Sequence, residues 1–210
     1  RYRTIDFPIS NMSNSGIDNI QVYVRRKPRS LTEHLGTGRH YNINSKRGSL
    51  NIMYTERNQI GDLYSTDIAA FIENIDCIER MPQQYVVLAP SYMIYTADYR
   101  KFLKEHIESG ADISLMYHSV DNAKENFLNC GTLNINKQKG VLSIEPNHGT
   151  AKNRNIFMDT YVMTKELFLE LVNKAHKTST MYTFADIVDE ECEELDTRAV
   201  PHRVYFAAIT

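Results

Sequence analysis

The sequence predicts an α/β domain: a mixed, mostly parallel sheet with helices on both faces. Two observations predict it. Short apolar, β-branched runs alternate with amphipathic helical runs along most of the 210 residues, the pattern of βαβ units. The stretch 131–144 reads instead as a hairpin, so some strands should be antiparallel.

The elements follow in order. Tyr2 to Phe7 reads as a short strand or extended entry. Pro8 opens a short helix that Gly16 is placed to end. Ile20 to Val24 alternates as a strand, and Ser30 to Leu35 is a short helix stopped by Gly36 and Gly38. His40 to Gly48 is polar and basic and reads as a loop. Leu50 to Tyr54 is a further strand. Between Thr66 and Ile78, residues Ile68, Phe71, Ile72 and Ile75 recur at helical spacing, and Pro82 ends that segment. Tyr85 to Leu88 is a buried strand. Thr96 to Ser109 is a helix with Gly110 just past its end. Ile113 to Tyr117 is a strand, Gly131 to Ile135 and Val141 to Ile144 form the hairpin around 137–140, and Ile156 to Met163 is a strand. Lys165 to His176 and Phe184 to Glu194 are helices, and Arg203 to Ala207 is a last strand.

Composition excludes several classes. Net charge is −2, so nothing pulls the chain toward nucleic acid or a membrane surface. No apolar run approaches the roughly 20 residues that span a bilayer, and no signal peptide opens the chain. Cys77, Cys130 and Cys192 are odd in number and far apart, without the paired spacing of a zinc site. They read as reduced, partly buried thiols of a cytoplasmic protein. Both ends read as cut from a longer protein.

In an open α/β sheet, ligands lie beyond the carboxyl ends of the strands. The loop after Leu88 is therefore where a site is expected. It offers Pro90, Ser91, Tyr92 and Met93, and no carboxylate.

The segment YRTIDFPISNMSNSGIDNIQVYV, residues 2–24, resembles a hallmark of the glucose-1-phosphate adenylyltransferase family, which reads YRLIDFxLSNxxNSGIxxIxV. SLTEHL (30–35) resembles that family's SLxxHL, and HIESGADISL (106–115) its HxxxGADxTV. Register with the family holds approximately across nearly all 210 residues. The resemblance implies a Rossmann-like, GT-A-like nucleotidyltransferase domain that joins ATP to glucose 1-phosphate. It also implies that residues 1–210 are a fragment of that domain. The family's Gly-rich phosphate loop would precede Arg1, and its left-handed β-helix would follow Thr210.

The chemistry that the family needs is substituted here. Its transfer rests on positioning and charge stabilisation, with Mg²⁺ held by hard carboxylate oxygens. The Asp of its GDHxY motif falls on Tyr92, and the first Asp of its DFGxDLIP motif falls on Tyr182, with Asp186 kept. A phenol titrates near pH 10 and is a poor ligand for Mg²⁺. The sugar-phosphate Lys of EKP falls on Glu145, whose charge would repel a phosphate. WYxGTADA becomes residues 63–70, with its Gly and following Thr replaced. SMGIY becomes Phe157 to Tyr161, and WRDVGT becomes Phe206 to Thr210, with Ala208 at its Asp. Losing one stabilising group commonly lowers rate by about 10²–10³-fold. Losses across these motifs beside a kept scaffold segment resemble the noncatalytic GlgD-type branch, to which HYNINSKRG is also closer.

The resemblance thus implies a degenerate subunit of glycogen biosynthesis with no catalytic residues and no cofactor of its own. Its partner would be a catalytic ADP-glucose pyrophosphorylase subunit in a hetero-oligomer, read as a tetramer. The alternative is an active enzyme that uses Mg²⁺ and recruits Asp98, Asp159 or Asp186. Tyr92 and Tyr182 would fill the cavity of the missing metal, or stack on a ligand. Arg29, Arg39, Lys46 and Arg47 are candidates for an anionic, sugar-phosphate effector, with a solvated basic face as the other reading. Asp6 and Asn11 are read as scaffold.

Overall fold

The computed structural model describes residues 2–24, 28–36, 38–43, 48–54 and 66–209, with Pro28, Arg39 and Tyr54 described by backbone alone. Seven helices and ten strands occur among these residues. The helices are α1 (Asp6–Asn14), α2 (Pro28–Leu35), α3 (Asp67–Glu73), α4 (Ile75–Glu79), α5 (Tyr99–Ser109), α6 (Lys165–Thr178) and α7 (Phe184–Glu191). The strands are β1 (Asn19–Val24), β2 (Ser49–Tyr54), β3 (Tyr85–Leu88), β4 (Met93–Tyr95), β5 (Ile113–Val120), β6 (Gly131–Ile135), β7 (Val141–Pro146), β8 (Arg154–Thr164), β9 (Thr197–Pro201) and β10 (Phe206–Ala208).

The main sheet runs β7-β6-β8-β5-β9, and β3 also pairs with β8. Two smaller pairs stand apart, β1 with β2 and β4 with β10. The sheet is mixed, with helices on both sides. Its parallel share is smaller than the alternation suggests. Only β1–β2 and β5–β9 are parallel among the described pairings. The long strand β8 runs against β3, β5 and β6, because chain that enters β8 from the β6–β7 hairpin meets the sheet from its far end.

β8 separates two cores by simple alternation. Phe157, Tyr161 and Met163 face one side with Ile113, Leu115 and Tyr117 of β5, packed with side chains of α3, α6 and α7. Ile156, Met158 and Val162 face the other side with Met116 and Val200, packed with side chains of α5 and the β4–β10 pair. Edge-on aromatic pairs link the first core, with Phe71–Phe168 at 5.1 Å and Tyr161–Phe184 at 5.1 Å. A third, smaller core gathers Ile9, Ile20, Val22, Leu35 and Ile43 between α1, α2 and β1.

Helix ends follow local chemistry. Thr164 caps α6 through Leu167 N, and Thr183 and Asp186 form a reciprocal capping box on α7. Gly110 closes α5 at φ 69°, a left-handed turn that only glycine adopts freely.

Four expectations are corrected. Residues 2–7 do not form a strand: Arg3 N–H donates to Asp6 Oδ2 at 2.8 Å, and the turn runs straight into α1. The segment Thr66–Ile78 is two helices, broken at Asn74, whose side chain returns to Ala70 O. The helix expected to run to Glu194 ends at Glu191. The last strand is Phe206–Ala208 rather than Arg203–Ala207, set by its pairing with β4. Cys77, Cys130 and Cys192 are all free thiols. Among the described residues no helix is long and apolar enough to cross a membrane.

Candidate functional site

The site expected after Leu88 is built from two short strands far apart in sequence. β4 and β10 pair antiparallel, with Met93 opposite Ala208 and Tyr95 opposite Phe206. Ile209 N–H then donates to Tyr92 C=O at 2.8 Å. Tyr92 and Ala208 are therefore neighbours in space. A phenol and a methyl offer Mg²⁺ no carboxylate, so the side chains present at these positions do not fit the ion. Tyr92 is 38% exposed and Ile209 55% exposed.

Tyr182 is placed elsewhere. It precedes the N-cap of α7 and packs against the core on the α3, α6 and α7 side of β8. The carboxylate of Glu190 beside it pushes its phenol upward. Tyr92 lies with the β4–β10 pair, over the opposite face. Among the described residues the two rings form no aromatic pair. Ala208, not Tyr182, stands beside Tyr92.

Glu145 lies exposed on β7 opposite Thr132. Arg154 Nη2 lies 3.9 Å from its carboxylate and also donates to Thr132 Oγ1. Of the basic candidates, Arg29 is exposed and pairs with Glu33 one helical turn on, at 3.2 Å. The Arg39 side chain, Lys46 and Arg47 lie outside the described residues. So do Arg25, Arg26, Lys27 and residues 63–65.

The three substitute carboxylates are dispersed. Asp98 caps α5 and is paired with Arg100. Asp186 is spent in the capping box of α7. Asp159 is the unusual one. Its backbone is left-handed, with φ 45°, and its carboxyl is pushed up to about 7 by burial and by the nearby charge of Asp67. Asp67 Oδ1 accepts the N–H of Phe184 at 3.0 Å, tying α3 to the start of α7. Both aspartates and Asp186 act on the buried Tyr161, whose phenol is raised first by burial. Sequence reasoning did not single out Asp67. The available signal was an Asp at Asp159 where the resembling motif has glycine. Among the described residues no three His, Cys, Asp or Glu side chains converge as a metal-holding group.

The preserved segment works as a tether. Asp6 accepts from His34 and Tyr41, at 2.7 and 2.5 Å, and so joins α1 to α2 and the turn that follows it. Burial raises its carboxyl, but these bonds and that from Arg3 N–H outweigh the effect and hold it below its ordinary value. Asn11 Nδ2 donates to Tyr95 C=O at 2.9 Å, and its Oδ1 accepts from Ala97 N–H at 3.3 Å. Ser15 Oγ accepts from Tyr99 N–H at 2.8 Å. The scaffold reading of Asp6 and Asn11 fits these bonds.

A mixed α/β sheet, a strand end whose loop meets a distant strand, and α1 clamped to that loop define a nucleotidyltransferase-type scaffold. A family model described as nucleotidyl transferase matches residues 1–203, and the chain belongs to that family. A glucose-1-phosphate adenylyltransferase from Clostridium perfringens strain SM101 is 32% identical over 174 residues, covering 81% of this chain and 44% of that protein. The glycogen biosynthesis protein GlgD of Geobacillus stearothermophilus is 34% identical over 124 residues, 56% of this chain and 35% of that protein. The chain spans about half the length, or less, of these curated relatives. A Bacillus anthracis structure described as a glucose-1-phosphate thymidylyltransferase in complex with sucrose superposes with a TM-score of 0.75 at 15% identity, covering 99% of this chain and 77% of that one. At that identity the likeness speaks for the fold.

Proposed function

We propose that this chain is the nucleotidyltransferase region of a glycogen biosynthesis protein that has lost its own turnover and modulates a catalytic paralogue. The observation that carries the reading is the adjacency of Tyr92 and Ala208. Two positions where the resembling motifs place carboxylates meet across the β4–β10 pair, and both lack one. Glu145, at the lysine position, adds a negative charge where a sugar phosphate would need a positive one. The partner in this reading is a catalytic ADP-glucose pyrophosphorylase subunit in a cytoplasmic hetero-oligomer, with Arg29, Arg39, Lys46 and Arg47 as candidates for an anionic effector. The test is an assay of the purified whole protein with ATP, glucose 1-phosphate and Mg²⁺, alone and then mixed with the catalytic paralogue. Turnover alone at the paralogue's level ends the proposal. A changed rate or effector response in the mixture supports it.

A second reading, an active adenylyltransferase, draws on Asp159. A half-buried carboxyl that titrates near neutrality beside Asp67 is the kind of group found in working sites. Loss of turnover in Asp159→Asn would favour it, and an assay already silent in the native protein would remove it.

A further inference from the structure

On the face of the sheet that carries β4 and β10, the far ends of β5 and β8 enclose a cleft of about 700 Å³, within the range of roughly 300–1,000 Å³ usual for small-molecule sites. Its apolar wall is a parallel stack of Phe127 on Phe206, with centroids 5.5 Å apart and planes 11° from parallel. Phe127 holds a left-handed backbone, φ 57°, a conformation that a bulky residue adopts only when its surroundings impose it. The buried Asn147 imposes it. Its Nδ2 is shared among the carbonyls of Ala123, Asn126 and Phe127, at 2.8, 3.2 and 3.0 Å. The loop is thus fixed in advance with its ring turned onto Phe206.

The polar rim is mostly neutral. Asn122 and Asn153 line the cleft, and among the described residues their side-chain amides bond to no other side chain or backbone group. Asn155 accepts from Ser119 Oγ at 2.8 Å and keeps its amide N–H groups for another partner. Among the described residues that line the cleft, Arg154 is the one with a permanent positive charge. Its guanidinium is already engaged by Thr132 and lies near Glu145, and Asp121 stands on the same rim. A free anion would therefore meet little uncompensated positive charge. An aromatic wall beneath amides that both donate and accept suits a ligand with a C–H face and many hydroxyls.

We propose that this cleft binds a neutral saccharide, its apolar face on Phe127 and its hydroxyls shared among Asn122, Asn153 and Asn155. The site lies on the sheet face opposite Asp159 and is independent of whether the chain turns over nucleotides. The test is isothermal titration calorimetry and saturation-transfer NMR on the whole protein with maltotriose, adenosine and inorganic phosphate as separate probes. Maltotriose should bind saturably, and Phe127→Ala should weaken it about tenfold. The double variant Asn122→Ala, Asn153→Ala should weaken it severalfold with an unchanged melting temperature, and it decides the matter where Phe127→Ala does not fold. No saturation by maltotriose overturns the proposal. So does maltotriose binding that is the same in the double variant, or binding of adenosine or phosphate alone.

Discussion

Helix α1 is hydrogen-bonded to β4 by the Asn11 side chain, and α1 and the β4–β10 pair differ in what their residues do. On the α1 side the polar side chains of Asp6, Asn11, Ser13 and Ser15 all make hydrogen bonds. Asp6 gathers three donors, Asn11 bonds both ways, and Ser15 holds the start of α5. On the β4–β10 side Tyr92 lies opposite Ile209, both of them exposed, while Ala208 packs against the second core beside Met93. The contrast teaches that kept sequence here marks load on the fold, and that the loop it supports holds its shape without the carboxylates it resembles.

The largest break in that contrast comes from Asn11→Ala. The variant strips two hydrogen bonds and leaves the buried Tyr95 carbonyl without its donor. Stranding a buried polar group costs about 1–3 kcal/mol, so urea denaturation should read a loss of about 2–3 kcal/mol. A loss under about 0.5 kcal/mol, the scale of an ordinary surface change, would mean that α1 is not the tether described.

Next in size is Asp159→Asn, whose effect should depend on pH. The folded state raises this carboxyl from 3.8 to about 7. The protonated form is therefore the one folding favours, and its contribution is present below pH 3.8 and lost as pH rises through about 7. The shift would correspond to roughly 4 kcal/mol at most, and partial solvent access reduces it to about 1–2 kcal/mol. Asn also tolerates the left-handed backbone. The variant should melt higher than the native chain at pH 8 and equally at pH 3.5. An equal shift at both pH values would assign the gain to backbone alone.

These two sites also show what the sequence could disclose. The alternation of strands and helices carried the α/β architecture, and the resemblance carried α1 and the positions of substitution. β4 and β9 went unread. β4 has three residues and finds its partner more than a hundred positions later, and β9 ends in a proline that argues against a strand. Because that distant pairing is what brings Ala208 to Tyr92, the motifs alone could not say which substituted positions are neighbours. Tyr182 was grouped with Tyr92 by motif, and it lies just before α7 against the first core. The cleft was invisible for the same reason: His118, Phe127, Arg154 and Phe206 converge from four separate segments.

A smaller effect is expected at His202, behind that cleft. Its Nε2 meets Thr96 C=O at 2.9 Å, and its Nδ1 lies 3.4 Å from Nδ1 of His118. Burial lowers its pKa below 6.5, the bond to Thr96 opposes this, and His118 adds to the lowering. The unfolded chain therefore takes up the proton first. Stability from this group is whole above pH 6.5 and falls as the solution is acidified toward the folded value. His202→Gln keeps a donor for Thr96 and removes the titration. The melting temperature should then decline less between pH 7 and pH 5 than in the native chain, by a few degrees at most. An unchanged slope would place the acid sensitivity at other groups, His106 first among them, since burial lowers its pKa too.

The smallest effect belongs to Tyr92→Ala, and its smallness is the point. The ring is 38% exposed, and the bond that joins this loop to β10 is made by the Tyr92 carbonyl, which survives the substitution. Urea denaturation should therefore change by no more than about 0.5 kcal/mol, several times less than at Asn11 one strand away. If Tyr92→Ala instead costs as much as Asn11→Ala, the phenol is a structural plug and the loop depends on it. Adding charge sharpens the same comparison. The double variant Tyr92→Asp, Ala208→Asp returns carboxylates to both motif positions on neighbouring backbone, hard oxygens of the kind that divalent ions take. Electron paramagnetic resonance should then detect bound Mn²⁺ in the double variant at concentrations where the native chain leaves it free. Equal binding by both proteins would show that the native chain already holds the ion with other groups, and the loss of carboxylates at Tyr92 and Ala208 would no longer distinguish this loop from a working one.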